Sequence, residues 1–323
     1  MKLLQASIRK ISLTLFALLS TWTCGHVYAD TPVRIAYPSG LNGQIALVAD
    51  KAGIATRNGL QAQFNLFQNG PPMMEALASG NVDVVVTSYQ PFTTFRLKQP
   101  DAVTVIAQLG HSSYALVAPA ESAVTQLGEL KGKRIALSFG SDSHLDLLRS
   151  IRALGLNPTE DFTLINLQPS DLRLALTQGH ADAIVIRQPQ VLLLQEKGAR
   201  VLQSWPHYYV VLARKQYLQE NPHARDQLTQ TLREAVAHIV QNGEQSAQWF
   251  ADQQRLESRI VQPLVPQNPI FADVRKPADV NVAFEGEHIQ RLNDWFHAAY
   301  GNQLVKAPVA VYVEETHSAA QAD

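Results

Sequence analysis

The segment best suited to chemistry is Gly140–His144, which combines a glycine turn with two hydroxyl groups and two ionisable side chains. The apolar run Ile135–Leu137 precedes it, and an amphipathic helical pattern follows it. This order predicts a buried strand, a tight turn and a helix that begins at the carboxyl end of the strand. The free N–H groups of such a helix start carry roughly half a positive charge and bind anions without Lys or Arg. The alternative is that Ser141 or Ser143 only caps the helix.

The same pattern occurs twice in the chain, about 100 residues apart. Arg34-Ile35-Ala36 corresponds to Arg134-Ile135-Ala136, and in both copies a glycine follows four residues later. Further on, residues 76–86 correspond to residues 175–186 in the same order. Each half therefore predicts strands that alternate with helices, which is typical of a parallel sheet with helices on both faces.

Polar loops follow the predicted strands of both halves. In open parallel sheets, ligands bind beyond the carboxyl ends of the strands, so two facing halves predict a cleft lined by these loops. The candidate binding residues are Ser39, Gly40, Asn42, Gly70, Thr87, Ser88 and Tyr89 from the first half, Gly140, Ser141, Asp142, Ser143, His144, Arg187 and Gln188 from the second half, and Tyr208. Hydroxyl and backbone N–H groups dominate this set, which indicates a site for a small anion.

Arg187 adds a full positive charge to the predicted site. Its guanidinium offers bidentate pairing to a carboxylate, sulfonate or phosphonate. The alternative is an ordinary ion pair at the surface or between the halves, because structural ion pairs are common. Tyr89 and Tyr208 are expected to line the organic part of the ligand, unless they are ordinary core residues.

No catalytic pattern occurs among the ten histidines and the serines. The sequence has no HxxxH or HExxH spacing for zinc, no phosphate loop with Gly-Lys-Ser/Thr, and no G-x-S-x-G elbow. We therefore predict a binding protein rather than an enzyme, with no metal and no cofactor.

Residues 1–29 predict a secretory signal peptide and a periplasmic location. Three basic residues precede the apolar run Ile11–Leu19, and Val27 and Ala29 occupy the −3 and −1 positions of a cleavage site after Ala29. The run is too short to remain as a membrane anchor.

Cleavage after Ala29 would remove the only cysteine, Cys24, and three basic residues. The remaining 24 basic and 28 acidic residues give a net charge of −4, which argues against nucleic acid as a partner. A lipid anchor through Cys24 is the alternative, but Thr21-Trp22-Thr23 is a poor lead-in for lipid attachment.

The predicted organisation has two lobes. The segments are a signal peptide at 1–29, the first part of lobe 1 at 30–118, lobe 2 at 119–206, a return to lobe 1 with carboxyl-terminal helices at 207–310, and a tail at 311–323. Two extended apolar segments, Tyr114–Ala118 and Tyr208–Ala213, are predicted to cross between the lobes and to serve as a hinge.

Four segments carry a family resemblance: Asn69–Leu77, Gly80–Asp83, Leu130–Ala136 and, as the most specific one, Gly140–His144. Through them the chain resembles the periplasmic solute-binding proteins of aliphatic sulfonate, taurine and nitrate ABC importers, over about residues 33–300. The resemblance implies a two-lobed α/β fold of type II, with two parallel-rich sheets that are flanked by helices and joined by a hinge. It also implies a monomer that closes on an oxyanion, with a permease and an ATPase of the inner membrane as partners.

Two positions depart from the family pattern. Arg187-Gln188-Pro189 stands where sulfonate binders typically have Trp-Asp-Pro, and Asp142 stands in a helix start that is usually neutral. Asp142 would then either pair with Arg187 or hold an amine. The alternative functions are binding of a pyrimidine or thiamine-precursor-like ligand, and a sensory binding module on the same fold.

Overall fold

The structure of the protein, a computed structural model, describes residues 32–313 of the 323-residue chain. The predicted signal peptide, its cleavage site at Ala29 and Cys24 lie outside the described residues, as do residues 314–323 of the predicted tail. No helix within residues 32–313 is long and apolar enough to cross a membrane.

Eight strands form one continuous sheet in the order β2-β1-β3-β8-β4-β7-β5-β6. The strands are β1 Val33–Pro38, β2 Ala62–Phe67, β3 Val84–Ser88, β4 Val103–Ala118, β5 Arg134–Leu137, β6 Thr163–Asn166, β7 Ala183–Arg187 and β8 Arg200–Arg214. In the first half of the sheet, β1 is parallel to β2 and β3, and in the second half β5 is parallel to β6 and β7. The predicted parallel strands of both halves are confirmed.

The two central strands, β4 and β8, are longer than the sequence pattern predicts. The predicted crossing segment Tyr114–Ala118 is the end of a longer strand, β4, which begins at Val103. It pairs antiparallel with β8 along nearly its full length, with three register irregularities, one of them between Gln108 and His111. The backbone hydrogen bonds of this pair join the two predicted parallel sheets into a single sheet.

The internal repeat is confirmed by a pair of equivalent Arg–Asp contacts. In the first half, the guanidinium of Arg34 donates to both carboxylate oxygens of Asp83, at 2.9 and 2.7 Å. In the second half, Arg134 donates to both oxygens of Asp182, each at 3.1 Å. Each pair ties the first strand of its half to the residue that precedes the third strand, and therefore fixes the same strand arrangement twice.

Twelve α-helices lie within residues 32–313. They are α1 Gln44–Lys51, α2 Ile54–Arg57, α3 Gly70–Ala78, α4 Tyr89–Lys98, α5 Asp142–Ala153, α6 Pro169–Thr177, α7 Gln190–Glu196, α8 Lys215–Glu220, α9 Ala224–Gln241, α10 Gly243–Gln254, α11 Ser258–Val261 and α12 Glu287–Gly301. Short 3-10 turns connect several of them.

Helices cover both faces of the sheet. On the first half, α1, α2, α9 and α10 bury apolar side chains against one face, and α3, α4 and α12 against the other. On the second half, α5 covers one face, while α6 and α7 cover the other. Leu145 of α5 packs into the core of the first half and is fully buried, so α5 contacts both halves.

The predicted tail begins too early at residue 311. Tyr312 is 5% exposed, and its hydroxyl accepts a hydrogen bond from the backbone N–H of Val105 in β4. Asn293 of α12 also exchanges two hydrogen bonds with the backbone of Tyr312. An aromatic side chain with a satisfied hydroxyl stabilises the core, so the ordered chain extends at least through Tyr312.

Candidate ligand-binding site

A cavity of about 70 Å³ lies between the carboxyl ends of the strands of the two sheet halves. This is room for on the order of five water molecules, at about 10–15 Å³ each. Eight of the predicted binding residues line it: Asn42, Gly70, Thr87, Ser88, Ser141, Asp142, Ser143 and Arg187. Loops at the strand ends of both halves therefore meet at one place.

Three helices begin at the cavity. Gly70 begins α3, Ser88 precedes the first residue of α4, and Ser141 precedes the first residue of α5. At the cap positions Asn69, Ser88 and Ser141, no side chain accepts a backbone N–H of the helix it precedes. The amino-terminal ends of α3, α4 and α5 therefore direct partial positive charge towards the cavity.

Arg187 ends β7 and reaches across to the first sheet half. Its Nη2 donates to Oγ of Ser39 at 2.9 Å and to the carbonyl oxygen of Gln68 at 3.0 Å. A Cβ atom at Gly40 would lie 2.6 Å from Nε of Arg187, so the guanidinium needs glycine there. No carboxylate of the described residues forms an ion pair with Arg187. Burial lowers the pKa of Arg187 from its usual value.

Asp142 reaches across in the same direction from α5. Its Oδ1 accepts the backbone N–H of Gln90, in the first turn of α4, and its Oδ2 lies 3.4 Å from Nε2 of His207. Burial raises the pKa of Asp142 to about 7, although the donors around it, including the Gln90 N–H and the Ser88 hydroxyl, oppose the rise. The structure does not pair Asp142 with Arg187, which was one of its two predicted roles.

Three oxygen atoms around the cavity have no hydrogen-bond partner within the described part of the chain. They are Oδ1 of Asn42, Oδ1 of Asn69 and Oγ1 of Thr87. Asn42 and Thr87 are 5% and 1% exposed. Buried polar atoms are nearly always satisfied in folded proteins, so these three indicate groups that a ligand or water serves.

The two halves also touch at equivalent positions of the repeat. Nδ2 of Asn69 donates to Oε1 of Gln168 at 3.0 Å. Asn69 precedes α3 and Gln168 precedes α6, so corresponding helix starts of the two halves face each other. Together with the contacts of Arg187, this bond closes the gap between the halves beside the cavity.

The two tyrosines predicted to line the ligand site lie elsewhere. Tyr89 and Tyr208 stack on each other with ring centroids 5.6 Å apart, and the guanidinium of Arg291 lies over the Tyr208 ring. They line a separate cavity of about 350 Å³ next to α12. The ring of Tyr89 turns away because α4 begins at this residue, so Ser88 and Tyr89 point in different directions. The alternative of a pyrimidine ligand therefore loses the contacts expected from these two rings.

Five further predicted residues do not line the cavity: Ser39, Gly40, Gly140, His144 and Gln188. The ring of His144 stacks on Phe139 at 4.4 Å, and its Nδ1 accepts the backbone N–H of Gly140. Burial lowers the pKa of His144 to about 4, so the ring is neutral at pH 7. The side chain of Gln188 accepts the N–H of Leu192 at the start of α7. Both side chains therefore have partners within the protein.

The candidate list lacked four polar residues of the lining: Asn69, Tyr114, Ser138 and His207. Ser138 had a detectable signal, because it lies one position before the residue that the repeat aligns with Ser39. Both hydroxyls donate to a backbone carbonyl of the neighbouring strand end, at Gln68 and Leu167. His207 had no such signal in the sequence, since it lies in β8, far along the chain from the loops that the repeat identifies.

The sequence pattern of the family described as NMT1/THI5 like matches residues 43–253 of the chain. The chain belongs to this family. Within this NMT1/THI5-like sequence, the match runs from the residue after Asn42 through both sheet halves into α10.

Similarity to characterised relatives agrees with the resemblance found in the sequence. The NMT1/THI5-like chain is 29% identical over 311 residues to a protein of Escherichia coli (strain K12) named as a candidate aliphatic sulfonates-binding protein, covering 93% of this chain and 94% of that one. It is 28% identical over 198 residues to the taurine-binding periplasmic protein of the same organism, covering 59% and 61%.

Solved structures show the same fold. The alkanesulfonate-binding protein SsuA of Xanthomonas axonopodis pv. citri, bound to MOPS, superimposes with a TM-score of 0.72 at 22% identity. The similarity covers 87% of this chain and 96% of that one. The expected periplasmic-binding-protein architecture is therefore confirmed for the NMT1/THI5-like chain.

Proposed function

We propose that the protein is the periplasmic substrate-binding component of an ABC importer and that it captures a small organic sulfonate or related oxyanion. The observation that carries this proposal is the cavity between the two sheet halves, where three helix starts converge with Arg187. Arg187 is a half-buried cation without an acidic partner among the described residues, so an anionic ligand would complete its charge balance.

Capture proceeds by closure of two lobes. The lobes are residues 30–118 with 207–310, and residues 119–206. Strands β4 and β8 run through both, and the irregularity between Gln108 and His111 is a natural bending point. Closure removes water from the ligand, and the lower dielectric strengthens its contacts with Arg187 and the helix starts.

Capture and release, without bond-making, are the functional events. The predicted signal peptide, with cleavage after Ala29, would deliver the chain to the periplasm, where it acts as a monomer. A permease and an ATPase of the inner membrane would then take up the bound ligand. The names of the E. coli relatives, a taurine-binding periplasmic protein among them, support this assignment.

A thermal-shift screen followed by calorimetry tests the proposal. A ligand that binds only the folded protein must raise the melting temperature, so short sulfonates, phosphonates or carboxylates should do so in the millimolar range or below. Arg187→Ala should weaken binding of the best ligand at least tenfold, about 1.4 kcal/mol, while Arg173→Ala on the exposed face of α6 should not. If no oxyanion raises the melting temperature, the proposed function is wrong.

A further inference from the structure

Asp142 and Arg187 line the same cavity without neutralising each other. Asp142 is 3% exposed and is held by the N–H of Gln90 and by His207. Arg187 is held by the hydroxyl of Ser39 and the carbonyl oxygen of Gln68. Neutral or distant partners fix both side chains, so an acidic and a basic group remain available to one ligand.

The three unpartnered oxygens favour the same kind of ligand group as Asp142, because they too accept hydrogen bonds. Oδ1 of Asn42 and Oδ1 of Asn69 can only accept hydrogen bonds, and Oγ1 of Thr87 can accept one. A plain oxyanion also only accepts, so it would leave the two amide oxygens unsatisfied and would meet a carboxylate at Asp142. Unmet buried acceptors and paired like charges are both unfavourable.

We propose that the ligand carries a protonated nitrogen beside its anionic group and that Asp142 is the residue that selects for it. This inference rests on the proposed function. The anionic end binds Arg187 and the helix starts, while the ammonium group, with its three N–H donors, serves Asp142 and the unpartnered oxygens. The small cavity restricts the class to short amino-sulfonates, amino-phosphonates or amino-carboxylates.

Three sulfonates of nearly equal size test the selection: 2-aminoethanesulfonate, 2-hydroxyethanesulfonate and ethanesulfonate. Calorimetry with the full mature chain at pH 8 should give at least tenfold tighter binding for the amine than for ethanesulfonate, with the hydroxyl compound between them. The same order is expected for the corresponding phosphonates. Because these measurements use the native chain, they do not depend on any variant that folds poorly.

Asp142→Asn assigns the selectivity to one residue. This change keeps the shape of the side chain but removes its charge, so the preference for the amine should fall below about threefold. Asp182→Asn is the control, because Asp182 is a carboxylate of the same sheet half that pairs with Arg134 and does not line the cavity. The control variant should keep the native preference for the amine over ethanesulfonate.

The outcomes separate the two proposals. If ethanesulfonate binds as tightly as the amine, the role of Asp142 is overturned while the oxyanion receptor stands. If Asp142→Asn keeps the full preference, the selection does not lie in Asp142. If no sulfonate, phosphonate or carboxylate binds, the proposed function is wrong and this inference falls with it.

Discussion

Asp142 and His207 show how burial sets the charge of single residues at the cavity. Burial raises the pKa of Asp142 to about 7, and burial together with the charge of Arg187 lowers the pKa of His207 to about 3. The ring facing Asp142 is therefore neutral at pH 7, and the carboxyl group is close to half ionised. Small changes of pH near neutrality then change the charge that a ligand meets.

Affinity should depend on pH in opposite directions for two ligands. As the pH falls from 8 to 6, Asp142 binds a proton, so the attraction for an ammonium group is lost and the amino-sulfonate should bind about tenfold more weakly. Ethanesulfonate should instead bind more tightly, because the repelling charge disappears. His207, Asp146 and Arg187 also lie near Asp142, and they are present whichever of the two ligands binds. Calorimetry at pH 6, 7 and 8 measures both trends, and parallel trends for the two ligands would contradict this role of Asp142.

At the scale of elements, the two equivalent Arg–Asp contacts of the repeat differ in how far they are exposed to solvent. The side chain of Asp83 is 7% exposed and also contacts Arg214, whereas that of Asp182 is 34% exposed. The same motif should therefore contribute differently to stability in the two halves, because exposed ion pairs contribute little.

Asp83→Asn and Asp182→Asn form a matched pair that tests this difference. Asp83→Asn should lower the free energy of unfolding by about 2–3 kcal/mol, because it leaves Arg34 and Arg214 facing a neutral amide in a buried setting. Asp182→Asn should cost about 1 kcal/mol or less. Urea denaturation measures both values. Equal losses in the two variants would show that burial does not separate the two contacts.

At the scale of the whole molecule, the cavity exists only because the two sheet halves approach each other. Arg187, Asp142 and Asn69 each bond across the gap, to Ser39, Gln90 and Gln168 respectively. The closed arrangement is therefore held in part by the protein itself, and a ligand adds the remaining stabilisation.

Weakening the closed arrangement away from the ligand should lower affinity indirectly. Gln168→Ala removes the bond to Asn69, which is worth about 0.5–1.5 kcal/mol, so the best oxyanion ligand should bind roughly two- to tenfold more weakly. Small-angle scattering should show a smaller radius of gyration with ligand than without, in both proteins. Gln178→Ala, at the exposed far end of α6, should leave affinity unchanged. A radius of gyration that does not respond to ligand would contradict closure.

The sequence by itself determined the repeat, the alternation of strands and helices, and the loops that meet at the strand ends. Apolar runs and glycine stops are local signals, and a repeat places equivalent loops at equivalent strand ends, so Thr87, Asp142 and Arg187 could be identified in advance. The continuous length of β4 was not predictable, because residues 110–113 carry no strand pattern and are held in place by pairing with β8 and by contacts with residues far along the chain, such as Asn268.

Only the tertiary structure decided which side chains face the cavity. Ser88 lines it while the neighbouring Tyr89 stacks on Tyr208, and His207 enters it from β8. Whether Asp142 pairs with Arg187 or with the start of α4 likewise depends on how α5 packs across the gap. The direction of a side chain at a helix start, and its contact with residues far along the chain, follow from the packing of elements rather than from local sequence.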